Sequence, residues 1–205
     1  MSLKAVVFDM DGVVVDSTHA WWLTFNQALE HFDLPTVSEG KFMDEILGES
    51  TEDDIELYYP GVSEEELLSS YDSFFRGNLS EVRAFPDTLP LLEFLSIKDL
   101  KTAIATNTPR KLAGQTLGQA GLTGRFDFVF TADDVENGKP DPAMILFACE
   151  KMIVGVDEIL YVGDTKADVS AAKAAGCRMV GVGICGDVQI QRLRELIPII
   201  SEMLD

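Results

Sequence analysis

The chain is short of basic residues. Its 205 residues hold 16 lysines and arginines against 35 aspartates and glutamates, a formal net charge of −19 at pH 7. Nucleic-acid binders draw most of their affinity from clustered basic side chains, so this balance excludes nucleic acid as a partner. Cysteine is scarce too: Cys149, Cys177 and Cys185 are odd in number, far apart and without zinc-site spacing. They read as buried thiols in a reducing cytosol. No apolar run approaches the ~20 residues of a membrane span. The N-terminus passes from one lysine straight to Asp9 and Asp11, so no secretory signal is expected. What remains is ample core material, 46% hydrophobic and 9% aromatic residues, which excludes disorder. The sequence reads as a folded, acidic, cytoplasmic protein. A monomer is expected, because no heptad or surplus apolar helix stands out.

The acidity is uneven. Residues 17–82 hold 15 acids against two bases, Lys41 and Arg76. Composition changes at the same borders, from short Val/Ile/Phe runs outside to helical patterns with acidic and Gly/Pro punctuation inside. Two modules are expected, one formed by 1–16 and 83–205, the other by 17–82 inserted into it.

Ala5-Val6-Val7-Phe8 is a short apolar run of the kind that a parallel sheet covers on both faces. Similar runs lie near 102–105, 128–131, 159–162 and 179–182, with helical stretches between them. Pro109 and Pro142 sit where helices begin, and Gly121 and Gly176 where they stop. This alternation predicts a doubly wound α/β fold with a mostly parallel, Rossmann-like sheet. Within the insertion, helices are expected over about 21–32, 43–57 and 64–79, the last capped by Ser63. Residues 186–205 are expected to add a helix and then a short element.

Ligands of an open parallel sheet bind beyond the carboxyl ends of its strands. The residues that follow the apolar runs are Asp9 and Asp11, Thr106 and Asn107, and Asp164 with Asp168. All reach the same sheet edge. Carboxylates converging there need a cation, and an all-oxygen donor set without histidine or cysteine selects Mg²⁺ over zinc. Lys139, in Gly138-Lys139-Pro140, adds a positive charge. These parts suit phosphoryl transfer, with one carboxylate attacking phosphorus and a second, two residues on, moving the proton. That spacing works only if the backbone bends after the strand, since extended geometry alternates faces.

Four stretches in this order resemble the haloacid dehalogenase superfamily of phosphohydrolases, within it the branch of phosphoglycolate phosphatases and β-phosphoglucomutases. They are Val7-Phe8-Asp9-Met10-Asp11-Gly12-Val13, Ala105-Thr106-Asn107, Gly138-Lys139-Pro140-Asp141-Pro142, and Val162-Gly163-Asp164-Thr165 with Asp168. The resemblance implies a helical cap inserted after the first motif. It implies Asp9 as the nucleophile that carries an aspartyl phosphate, Asp11 as general acid and base, and Thr106, Asn107 and Lys139 as phosphoryl-binding groups. Mg²⁺ would be held by Asp9, Asp11 through its backbone carbonyl, Asp164 and Asp168. The true dehalogenases lack the second aspartate of the first motif, so Asp11 favours phosphate chemistry.

The expected substrate is a small phosphate monoester, of phosphoglycolate or sugar-phosphate type. Its leaving group would meet the cap, where His19, Trp22, Lys41, Gly48, Glu49 and Arg76 are candidates, with Arg110 from the core. Two cap bases suit a neutral or singly charged leaving group. Phosphoglycolate would need Lys41, Arg76 or Arg110 for its carboxylate. A β-phosphoglucomutase-like mutase is the alternative, but that branch carries a histidine where this chain has Trp21, and its basic cap loop is missing from Glu49-Ser50-Thr51-Glu52-Asp53. A receiver-like phospho-acceptor or a binding module is the non-enzymatic alternative. The long acidic insertion and the Asp9/Asp11 pair argue against it.

Overall fold

The computed structural model describes residues 2–204. Its main sheet has the order β5-β4-β1-β6-β7-β8, with every neighbouring pair parallel. The strands are β1 (Ala5–Phe8), β4 (Lys101–Ala105), β5 (Phe128–Phe130), β6 (Ile159–Gly163), β7 (Arg178–Val182) and β8 (Val188–Ile190). The chain leaves β1 toward β4 and β5, then returns to β6 on the other side. The crevice at the carboxyl end of β1 is therefore the topological switch point, where such sheets bind ligands.

β1 is buried on both faces, as its unbroken apolar run requires. Val6 and Phe8 pack toward α5 (Thr88–Ile97), α6 (Arg110–Gln119) and α9 (Leu196–Leu204). Ala5 and Val7 pack toward α7 (Ala143–Met152) and α8 (Lys166–Ala175). The sheet thus carries helices on both faces.

Between β2 (Val15–Asp16) and β3 (Arg83–Ala84) lie α1 (Thr18–His31), α2 (Glu39–Glu45), α3 (Thr51–Tyr58) and α4 (Glu64–Asn78). β2 and β3 pair antiparallel, Val15 opposite Ala84 and Asp16 opposite Arg83. The four helices share an aromatic-rich core that includes Phe25, Phe42, Tyr59, Tyr71 and Phe75. Leu112 of α6 joins this cluster, so the insertion rests on the sheet domain.

Two expectations need correction. The helix expected over 43–57 is two helices, because the Ser50 side chain accepts the Asp53 N–H and starts α3 afresh. Gly48 lies in the break with φ +89, in close approach to Thr165 of the core. The C-terminal region runs in the reverse of the expected order, with the short strand β8 before the helix α9. Asp205 lies outside the described residues.

Candidate active site

β1 delivers Asp9, whose N–H bonds the Val162 carbonyl 2.8 Å away on β6. The chain then turns sharply, with the N–H groups of Val14 and Val15 both donating to Met10 O. This is the bend that the Asp9/Asp11 spacing demands, and both carboxylates reach one cleft. Gly12 occupies the turn at φ +78, and a Cβ there would stand 2.0 Å from Asp164 Oδ2. Only glycine lets the two loops approach so closely.

Asp9, Asp164 and Asp168 bring one oxygen each within 4.8 Å of one another. Lys139 is 1% exposed and its Nζ lies 2.7 Å from Asp9 Oδ1 and 2.7 Å from Asp168 Oδ1. The contact to Asp168 is an aligned hydrogen bond, whereas that to Asp9 is an ion pair without hydrogen-bond geometry. Asp168 is saturated by protein donors. Its Oδ1 also accepts Tyr161 OH at 2.7 Å, and its Oδ2 accepts the N–H groups of Asp164 and Thr165 and the Thr165 hydroxyl.

The electrostatics follow from burial. Burial pushes Asp9 up to about 7, with Lys139 opposing and Asp168 and Asp11 adding to the rise. Asp164 is driven well above the usual carboxylate range by burial and then by the Asp9 charge. Asp168 is also penalised by burial, but the Lys139 charge and its hydrogen bonds outweigh this and hold it low. Lys139 stays firmly protonated: burial works against its charge, and Asp168 and Asp9 overcome it. Three carboxylates against one ammonium leave a surplus of negative charge. Among the described residues, Asp9 Oδ1 and Asp164 Oδ1 are buried without a hydrogen-bond partner. Hard oxygen donors, Asp164 Oδ1 with no partner and Asp9 Oδ1 with only the Lys139 ammonium, fit Mg²⁺. Asp9, Asp164 and Asp168 each turn one oxygen toward the shared space, and Asp168 also holds Lys139 and the loop behind them.

The Asp11 side chain is turned elsewhere. Its Oδ1 accepts the Ser17 hydroxyl and Trp21 Nε1–H, the latter at 3.0 Å, and its Oδ2 accepts Thr108 Oγ1–H at 2.8 Å. Any metal contact by Asp11 therefore falls to its backbone carbonyl. Thr106 is buried, and its hydroxyl accepts the Thr108 N–H at 3.1 Å, keeping its own proton to donate. Asn107 is used structurally: its Oδ1 accepts Lys139 N–H, and its Nδ2 donates to Lys139 O and to Gly48 O. It ties the lysine loop to the cap.

The cleft between core and cap has a cavity volume of about 80 Å³ and opens to solvent. Of the cap candidates, Gly48 and Glu49 line it. Four others do not. Trp22 donates its indole N–H to Val37 O, and His19 is exposed against Glu39 and the Trp22 ring. Lys41 lies 3.9 Å from Glu45, and Arg76 pairs with Asp72 at 2.5 Å. Arg110 of the core likewise pairs with Asp134. The lining residues that sequence reading missed include Trp21, Phe25, Phe42, Asp54, Tyr71 and Thr108. Trp21 and Trp22 are neighbours on α1 and point about 100° apart, so one faces the cleft and the other the α1–α2 loop.

The family profile described as "Haloacid dehalogenase-like hydrolase" matches residues 6–182. Among curated relatives, "Phosphorylated carbohydrates phosphatase" of Thermotoga maritima is 29% identical over 188 residues, covering 88% of this chain and 85% of its own. "Phosphoglycolate phosphatase" of Neisseria meningitidis is 30% identical over 194 residues, covering 88% and 80%. A crystal structure of β-phosphoglucomutase from Clostridium difficile shares the fold with TM-score 0.86 at 22% identity, covering 98% of this chain and 97% of that one. The profile spans every strand-end group of the cleft, from the Asp9 turn to the Asp164–Asp168 loop, and with the shared parallel sheet it makes this chain a member of the haloacid dehalogenase-like hydrolase family.

Proposed function

We propose that the protein is a Mg²⁺-dependent phosphatase of small phosphate monoesters, with 1–16 and 83–205 as catalytic core and 17–82 as cap domain. The observation that carries this reading is the Asp9–Lys139–Asp168 bridge beside the buried, unpartnered Asp164 Oδ1. An Asp9 oxygen attacks phosphorus, forming an aspartyl phosphate as the ester P–O bond breaks. Asp11 gives its proton to the departing alkoxide, then takes one from the water that attacks the acyl phosphate. Inorganic phosphate leaves and Asp9 is regenerated. Thr106 donates to a phosphoryl oxygen, and Lys139 offsets charge at the nucleophile. Bound Mg²⁺, held by Asp9, Asp164, Asp168 and the Asp11 carbonyl, would screen the like charges of carboxylate and phosphate. Ser17, Trp21 and Thr108 orient Asp11, and Trp21 does so from the cap.

The cleft supports a leaving alcohol without negative charge. Lys139 is the only lysine or arginine that lines it among the described residues, and its charge is shared by two carboxylates. This counts against phosphoglycolate and against the second phosphate that a sugar-bisphosphate mutase holds. Three free cysteines support a reducing, cytoplasmic setting, although against expectation only Cys149 is buried, Cys177 being half-buried and Cys185 exposed. The test is phosphate release from a panel of monoesters with Mg²⁺ or EDTA, using Asp9→Asn as the blank. Mg²⁺-dependent turnover with kcat/KM above about 10⁴ M⁻¹s⁻¹ is expected. Release that survives EDTA or Asp9→Asn would overturn the reading.

A further inference from the structure

We propose that the cap end of the cleft selects a phosphate monoester whose leaving alcohol carries a protonated amine, with Asp54 as counter-ion and Trp21, Phe25, Phe42 and Tyr71 as aromatic walls. This deepens the phosphatase reading and rests on it. The cleft has two chemically different ends. The core end has Lys139, Thr106 and Thr108; the cap end has two carboxylates, Glu49 and Asp54, four aromatic rings, and no lysine or arginine among its lining residues.

Asp54 is the informative group. Its Oδ2 accepts Tyr71 OH at 3.0 Å, while its Oδ1 takes no protein hydrogen bond and, on a half-buried side chain, opens on the cleft. The network cannot rearrange to supply one. Tyr71 spends its single proton on Oδ2, and Tyr59 donates its own to Phe25 O at 2.9 Å. Glu49 is raised by burial and by Asp53, with Lys166 of the core opposing, so its charge is partly met. No such cation faces Asp54, and burial pushes it up to about 8.

Three leaving-group classes fare differently here. An anionic group is repelled by both carboxylates. A hydroxyl meets the largely protonated Asp54 carboxyl with a hydrogen bond and leaves it neutral. An ammonium draws that carboxyl into its charged form and pairs with it through charge-assisted hydrogen bonds, and it also gains from the electron-rich ring faces. The 15 acids against two bases of residues 17–82 act in the same direction at long range, concentrating cations near the mouth.

Matched pairs that differ only at the amine test this. Glucosamine 6-phosphate is set against glucose 6-phosphate, and 2-aminoethyl phosphate against 2-hydroxyethyl phosphate, with phosphoglycolate as the anionic member and p-nitrophenyl phosphate as a general reporter. In the Mg²⁺-loaded wild type, kcat/KM for each aminated ester is expected to exceed its partner by about tenfold, mainly through KM. Asp54→Asn is expected to bring that ratio to about one, and Glu49→Gln to lower it less. Equal turnover of the partners, faster turnover of phosphoglycolate, or a preference that survives Asp54→Asn would overturn the proposal. The wild-type ratios decide even if a variant fails to fold. Absence of Mg²⁺-dependent release from every ester, the nitrophenyl one included, would instead refute the phosphatase reading beneath it.

Discussion

Replacing Asp54 by Asn should stabilise the protein, and the gain should grow with pH. In the folded chain burial raises the Asp54 carboxyl from 3.8 to about 8. The folded state therefore holds this proton more tightly than the unfolded state. Below the unfolded value both states are protonated and nothing is lost. Between the two values the unfolded chain ionises first, so stability falls as pH rises, and above about 8 the loss levels off. A four-unit shift sets a ceiling of about 5–6 kcal/mol. Asp54 opens on the cleft, and water there screens it, so about 1–2 kcal/mol is expected instead. Asn keeps an acceptor for Tyr71 OH and removes the charge. For a chain of this size each kcal/mol moves Tm by about 2–4 °C. Thermal unfolding of both proteins between pH 3 and 9 reads the difference directly. Tyr71, Tyr59, Asp53 and Glu49 face the same group and remain in both proteins. The Tm of Asp54→Asn should match wild type near pH 3, below the unfolded value, and exceed it by about 4 °C at pH 9. A constant offset across that range, or a variant less stable at pH 9, would refute the reasoning.

Four further outcomes are expected. Lys139→Met leaves Asp9 and Asp168 buried without their shared cation, so it should lower stability by about 3–5 kcal/mol and phosphatase activity by roughly 10³-fold; urea unfolding and phosphate release measure the two. Gly12→Ala forces a Cβ onto Asp164 at a positive φ, and calorimetric Mg²⁺ titration should show affinity reduced by about tenfold. Trp21→Phe keeps a ring but removes the donor to Asp11, so kcat should fall by about tenfold and its pH profile should shift, with a smaller change in KM. Asn107→Ala cuts the tie between Lys139 and Gly48, and hydrogen exchange should quicken at both loops together.

The core of the site was legible because each of its groups ends an apolar run. Asp9, Thr106 and Asp164 follow β1, β4 and β6, and a parallel sheet sends every such end to one edge. Even the sharp turn at Gly12 was required by the Asp9/Asp11 spacing before any coordinates. The cap side was illegible for a different reason. A helix face becomes a cleft wall only once the insertion docks, and no periodicity states where docking happens. Trp21 and Trp22 carry the same chemistry, and their identity does not reveal which turns inward. Asp54 falls inside the single helix expected over 43–57, with nothing to set it apart from its acidic neighbours Glu52, Asp53 and Glu56. The Ser50 cap, which splits the expected long helix and turns Asp54 toward Tyr71, is one hydroxyl in an acidic stretch. Asn107 and Asp168 sit where expected, yet their hydrogen-bonding capacity is taken up by the protein, a count that needs every neighbour.

The short β2–β3 ribbon has a consequence for how the sheet domain experiences its insertion. Because Val15 and Ala84 pair directly, the two crossings of the chain arrive side by side, and to the sheet everything between them is the loop of one hairpin. Closure entropy grows only slowly with loop length, so the number of residues hung on that hairpin hardly matters to the domain beneath. The ribbon is a socket: another helical unit whose ends lie one strand spacing apart could be plugged into it, meeting different leaving groups above an unaltered set of phosphate-handling residues.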